Sequence, residues 1–200
     1  MFWDRVAGVY NIFQNIYNGK VNKNLCIEVA KITEPSDCVL ECACGAGMLT
    51  KAIASKCTEI TASDFSEKML LQTAKNCKSF NNVKIERADI TKLQYPDNSF
   101  TKVLAGNVIH LLDNPCAALA ELERVCRPNG KIIIPTYINK SGKGLSGLLI
   151  RVFNKFGAGF KRQFSYKTYR RFFAKAGYRN VEYRLIEGKM PCAIAIITNK

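Results

Sequence analysis

The chain has 200 residues, 48% of them hydrophobic, and a formal net charge of +14. That is enough apolar content for one soluble domain with a continuous core, and no apolar run nears the ~20 residues that span a bilayer. Nine cysteines with no Cys-x-x-Cys pair argue against a disulfide framework or a zinc ribbon and fit a reducing cytoplasm, and Met1-Phe2-Trp3-Asp4-Arg5 lacks the basic and apolar regions of a signal peptide.

In chain order, residues 2–17 and 22–32 read as two helices, with Val6, Val9, Tyr10, Phe13 and Tyr17 at helical spacing and a break at Asn18-Gly19. A strand over 37–42 leads into a helix over 47–56. Next come a strand over 59–64 and a helix over 66–78 with Ser66 as its N-cap. Strands over 83–88 and 100–106 are separated by the Tyr95-Pro96-Asp97-Asn98 turn. A helix over 115–126 has Pro115 in its first turn and is stopped by Pro128-Asn129-Gly130. A strand over 131–136 follows. The tail offers a helix over 166–176 ended by Gly177, then strands over 180–187 and 191–198. Strands alternating with helices predict an α/β fold with a mainly parallel, right-handed, doubly wound sheet. There is no internal repeat and no second domain.

The most informative stretch is Val39-Leu40-Glu41-Cys42-Ala43-Cys44-Gly45-Ala46-Gly47-Met48. A strand ends in an acid and feeds a small-residue turn, where backbone can approach a ligand closely. A dinucleotide fingerprint would want another glycine three residues past Gly47, but Thr50 stands there, and no Lys-Ser or Lys-Thr pair follows to make a phosphate-cradling loop. The Cys42-x-Cys44 pair reads as small residues filling a tight turn, with no metal assigned. The second strand ends in Asp64, placed to accept hydrogen bonds from a ribose diol. The third ends in Asp89-Ile90, suited to an adenine edge, and the fourth in Asn107-Val108-Ile109-His110.

These blocks, LECACGAG, ASDFSEKML, ERADI, GNVIHLLDNP and LERVCRPNGKIIIPTY, lie in one order over roughly residues 37–137. In that order they resemble the class I S-adenosylmethionine (SAM) dependent methyltransferases, nearest the ubiquinone/menaquinone-methyltransferase-like branch. One departure is Ala43, where that family's loop has its first glycine. The resemblance implies a seven-stranded Rossmann-like sheet of order 3-2-1-4-5-7-6 with the last strand antiparallel. A helical cap over 1–34, a SAM-binding core over 37–137, a lid insertion over 138–165 and a closing helix and strand pair over 166–200 complete it. It also implies SAM as cofactor and methyl transfer to a small-molecule or lipid-like acceptor. Glu41 would lie near the methionine amine, directly or through water, and Cys42, Ala43, Cys44, Gly45 and Gly47 would line the methionine half. Asp64 would take the ribose hydroxyls, with Phe65, Ser66 and Met69 beside the adenosine. Asp89 and Ile90 would meet adenine, and Asn107 and Val108 would close the floor. His110, the chain's single histidine, could take a proton from the acceptor or line its pocket. Tyr10 and Tyr137 are further acceptor-side candidates, although core packing also accounts for Tyr10.

Charge is unevenly spread. Residues 1–137 hold 16 Lys/Arg against 14 Asp/Glu, residues 138–189 hold 13 against 2, and no acid occurs from Ile138 to Val181. An anionic or membrane-associated acceptor, with the protein in the cytoplasm or peripheral at the membrane surface, suits this asymmetry. Within the insertion, Leu145, Leu148, Leu149, Val152, Phe153 and Phe156 form an apolar stripe with Arg151 and Lys155 beside it, as a mobile basic lid helix would have, and these two cations with Lys161 and Arg162 would steer the acceptor inward. The absence of an Asn-Pro-Pro-Tyr-like motif after the fourth strand argues against nucleic-acid base methylation. An RNA methyltransferase and a non-catalytic SAM-binding or membrane-surface module remain the competing readings.

Overall fold

The computed structural model describes residues 18–139 and 161–200. The predicted helix over 2–17, Tyr10 and the stripe from Leu145 to Phe156 lie outside those residues. Helix α1 covers 18–32, so the predicted break at Asn18-Gly19 does not occur. A tertiary contact overrides the local signal there. The Asn18 side chain donates to the Met190 carbonyl (2.9 Å) and accepts from its N–H (3.4 Å), fixing the helix on a distant hairpin.

The chain then alternates as expected through β1 (Cys38–Cys42), α2 (Met48–Ile53), β2 (Glu59–Asp64), α3 (Glu67–Asn76), β3 (Val83–Arg87) and β4 (Phe100–Ala105). Helix α4 (Pro115–Val125), β5 (Cys126–Tyr137), α5 (Tyr166–Lys175), β6 (Val181–Ile186) and β7 (Cys192–Thr198) complete it. Ser66 caps α3, its hydroxyl accepting from Met69 N–H at 3.3 Å. Asn114 caps α4 ahead of Pro115, and Gly177, at φ +95°, ends α5. Strand β5 starts five residues before the predicted 131: Cys126 pairs with Phe100, and a register shift between Phe100 and Lys102 takes up the Pro128-Asn129-Gly130 kink.

The seven strands lie in the order β3-β2-β1-β4-β5-β7-β6, with β7 antiparallel to both neighbours and the rest parallel. Both faces are buried, so the central strands read as near-continuous apolar runs whose side chains alternate between two cores. Ile132 and Ile134 pack with Leu119, Leu122, Tyr169 and Phe173 beneath α4 and α5. Ile133 and Leu104 pack with Leu25 and Val29 of α1 and Leu49 of α2. Parallel order switches direction at β1, which lies between β2 and β4, and Cys42, Ser63 and Ala105 end level there. In such sheets the crevice beyond this point is where ligands bind. No helix among the described residues is long and apolar enough to cross a membrane.

Candidate active site

Beyond those strand ends lies a cavity of about 340 Å³, within the usual range for small-ligand sites. Ala43 and Gly45 line it from β1's loop, Asp64, Phe65 and Met69 from β2 and α3, and Asp89 and Ile90 from the end of β3. Asn107 and Val108 line it from the segment after β4. Nine of the proposed cofactor residues thus meet in one space. Ala88, Gly106, Leu111 and Leu112 join them and were not anticipated, although Leu111 and Leu112 directly follow His110 in the motif block.

The loop after β1 is held by the neighbouring βα unit. Asp64 accepts from Gly45 N–H through Oδ2 and from Ser66 N–H through Oδ1, both at 2.9 Å. Cys44 N–H donates to the Ser63 carbonyl (2.9 Å). From α3, Thr73 Oγ1 donates to the Gly45 carbonyl (2.8 Å) and Asn76 Nδ2 to the Ala46 carbonyl (2.9 Å). Gly47 has φ +78°, and a Cβ there would stand 2.9 Å from Thr73 Cγ2, so only glycine lets α3 close on the loop. Thr73 carries this contact two turns into a helix, where nothing in the local sequence marks it.

Ala43 has φ +54°, a left-handed conformation that costs an alanine roughly 1–2 kcal/mol. Glycine at 43 would remove that strain but restore unfolded-chain entropy worth about 0.4–1 kcal/mol. Ala43→Gly should therefore shift stability by under about 1 kcal/mol and keep cofactor affinity. Ala43→Val puts a β-branched side chain at positive φ and methyls into the cavity. It should destabilise by about 2 kcal/mol and weaken SAM binding at least roughly tenfold, measured by thermal melting and calorimetry.

The other nominated residues stand differently. Glu41 is 2% exposed, lies outside the residues lining the cavity and accepts from the Thr50 hydroxyl. Burial pushes its carboxyl up to about 8, the Thr50 bond pulling down and the Asp64 charge adding to the rise. An acid whose folded pKa is raised contributes stability that is present below its ordinary 4.5 and lost as pH rises through about 8. Cofactor-free protein should lose thermal stability across that window. Glu41→Gln, which keeps an acceptor for Thr50 but cannot ionise, should flatten the loss, and identical pH profiles would refute the assignment. Cys42 is buried in the core, its thiol pushed up to about 12 by burial. Cys44, raised well above the ordinary thiol value by burial, meets Thr73 Oγ1 at 3.6 Å. Both thiols are packing groups at neutral pH.

On the cofactor side, Phe65 is 45% exposed, with the Arg87 guanidinium 5.1 Å from its ring centroid. Asp89 Oδ1 accepts from both the N–H and the hydroxyl of Thr91 (2.8 and 2.7 Å). Asn107, at φ +54°, donates its N–H to the Pro135 carbonyl (2.8 Å) and accepts Tyr137 N–H through Oδ1 (2.9 Å). The wall after β4 is thereby tied to β5. Tyr137 in turn donates its hydroxyl to Asn22 of α1.

His110 is 7% exposed and is not among the lining residues. Burial holds its imidazole down at about 4, so it is neutral through the physiological range. Its carbonyl accepts from Arg162 N–H (3.1 Å), and Arg162 Nη2 donates to the Asp113 carbonyl (3.2 Å) with Nη1 on the Leu112 carbonyl. Lys161 pairs with Asp113 at 2.8 Å, and Asn139 N–H donates to the Phe164 carbonyl (2.7 Å). Of four cations expected to steer an acceptor, two are thus committed to the protein itself, while Arg151 and Lys155 lie outside the described residues.

The donor set fits SAM. Two carboxylates, Asp64 and Asp89, share one cavity with the small-residue loop at Ala43 and Gly45 and with the apolar groups of Phe65, Met69, Ile90 and Val108. Residues 40–134 match the sequence model of a methyltransferase domain family. Over 103 residues, 49% of this chain and 43% of the relative, the sequence is 39% identical to a ubiquinone/menaquinone biosynthesis C-methyltransferase of Bdellovibrio bacteriovorus. Over 213 residues, 93% of this chain and 84% of the relative, it is 26% identical to a demethylmenaquinone methyltransferase of Staphylococcus aureus. The chain spans less than half the length of the more identical curated relatives it matches. Among solved structures, it superposes at TM-score 0.73 and 17% identity on a SAM-dependent methyltransferase from Thermotoga maritima described as a possible histamine N-methyltransferase, covering 100% of this chain and 98% of that one. A SAM-dependent methyltransferase from Aquifex aeolicus gives 0.66 at 20% identity, with 93% of each chain covered. Likeness at these identities speaks for the fold; the sequence matches add that residues 40–134 form a SAM-dependent methyltransferase domain, similar to those of the ubiquinone/menaquinone-methyltransferase-like branch.

Proposed function

We propose that the chain transfers the SAM methyl group to a small, ring-bearing, quinone-like acceptor that enters against the wall formed by residues 107–112. One observation carries the reading: the cavity joins a polar half, set by Asp64 and Asp89, to an apolar wall of Val108, Leu111 and Leu112 in a single volume. The relatives named for quinone and menaquinone methylation support the same acceptor class.

When bound, SAM supplies an electrophilic methyl carbon on a sulfonium leaving group. The protein's tasks are then to orient two reactants and to exclude water. Asp64 would hold the ribose diol with the lone pairs its two backbone bonds leave. Asp89 would accept from the adenine amine, with Phe65, Met69 and Ile90 flanking the base. Asn107, braced on β5 through Pro135 and Tyr137, would fix the floor against which the acceptor ring stops. His110, neutral and outside the lining, would support the wall through its carbonyl.

The test is purified protein with labelled SAM and three acceptor pools: a prenylated demethyl quinol, polar metabolites and RNA. Label in the quinol supports the proposal. Label in RNA or a polar metabolite overturns the acceptor class. Binding of SAM with transfer to none of them leaves a non-catalytic module.

A further inference from the structure

The exposed side of α5 carries Lys167, Arg170, Arg171 and Lys175, with Arg179 just past its end. Their spacing puts the four helical cations on one arc, opposite the buried Tyr169 and Phe173. Among the described residues none of the five sits in an ion pair, whereas Lys161, Arg124 and Arg184 all do. Beside this arc, Leu185 on edge strand β6 is 39% exposed. It shares a sheet face with Val181 and Tyr183, which pack in the core under α5. Through Ala193 it stands level with Thr136, at the cavity end of β5.

We propose that this face of α5, with Leu185, docks on an anionic phospholipid surface. Charge complementarity calls for an anionic occupant, and lipid is favoured over nucleic acid because, among the described residues, the face offers no uncovered ring for a base to stack on. Arg170 already covers Tyr166 (5.8 Å to the centroid) and Tyr183 (5.2 Å), and Phe164 packs on Tyr169 and Phe172. A cationic arc on a helix, with an exposed leucine on the sheet face that the helix covers, matches an interfacial helix, cations among headgroups and the apolar group just below them. A quinone-like acceptor gives the docking its purpose, and the docking rests on that reading for its purpose alone, since binding is read without turnover.

The full chain should co-sediment with vesicles of equal parts phosphatidylcholine and phosphatidylglycerol, and weakly or not at all with pure phosphatidylcholine. Binding should fall as salt rises. The triple variant Lys167→Gln, Arg171→Gln, Lys175→Gln leaves Arg170 on its rings and should bind anionic vesicles roughly 100-fold more weakly, about fivefold per residue. SAM affinity and melting temperature should hold. A control with the same charge loss elsewhere, Lys56→Gln, Lys75→Gln, Lys78→Gln, all exposed, should lose far less. Leu185→Gln should weaken anionic-vesicle binding further. Equal loss in the control would mean net charge alone acts and would overturn the proposal. So would equal binding to both vesicle types, or tighter binding to an RNA oligomer than to vesicles.

Discussion

Asp37→Ala should destabilise the fold by about 3–5 kcal/mol, the expected cost of stranding a buried charge whose partner is removed. Lys102 lies mid-strand in β4, its side chain 7% exposed, with Nζ bonded to Asp37 Oδ2. The same carboxylate accepts from Glu34 N–H (2.6 Å) and from the Thr101 hydroxyl (2.8 Å), closing the end of the sheet away from the cavity. Urea denaturation of Asp37→Ala, Lys102→Met and the double variant would read the effect. The double variant should recover much of the loss, because the stranded ammonium is gone, while Glu34 N–H still lacks its acceptor and the Thr101 hydroxyl keeps only the Cys38 carbonyl (3.2 Å). A loss below about 1 kcal/mol in Asp37→Ala would show that water reaches Lys102 and that the pair is of the weak surface kind.

Asp64→Ala should cost about 1.5–3 kcal/mol in SAM affinity, the range for hydrogen bonds to a charged group. The carboxylate also holds Gly45 and Ser66, so the glycine loop and the start of α3 loosen together and the effect should fall at the upper end of that range. Asp64→Asn should be nearly as harmful, since its NH2 would face one of the two backbone N–H groups. Calorimetry with SAM and its demethylated product gives the affinity, and a melt of cofactor-free protein separates the loop's own loss of order. Unchanged affinity in Asp64→Ala would remove Asp64 from the cofactor site.

The strand ends were readable because parallel strands buried on both faces need continuous apolar runs, and small or acidic residues interrupt those runs only where chain meets ligand. Caps were readable for a similar reason: Ser66, Pro115 and Gly177 each answer a local backbone need. Asn18-Gly19 misled because a turn signal is a weak local preference, and two bonds to Met190 outweigh it. The basic tail was legible as an asymmetry but not as a surface. Sequence assigned Arg162 to steering, whereas its guanidinium is spent on carbonyls of the segment after β4.

The sequence by itself determined the doubly wound architecture, the glycine loop and the acids at the ends of β2 and β3. Each of these is written in residues close along the chain, through periodicity, turn chemistry or the end of an apolar run. Only the tertiary structure decided which charges are solvated and which are bound. Lys102 and Asp37 stand 65 residues apart and Arg162 and Leu112 stand 50 apart. Spacing carries no record of such pairs, because the low dielectric that makes a buried charge costly, and a partner necessary, exists only once the sheet and its helices have closed around it.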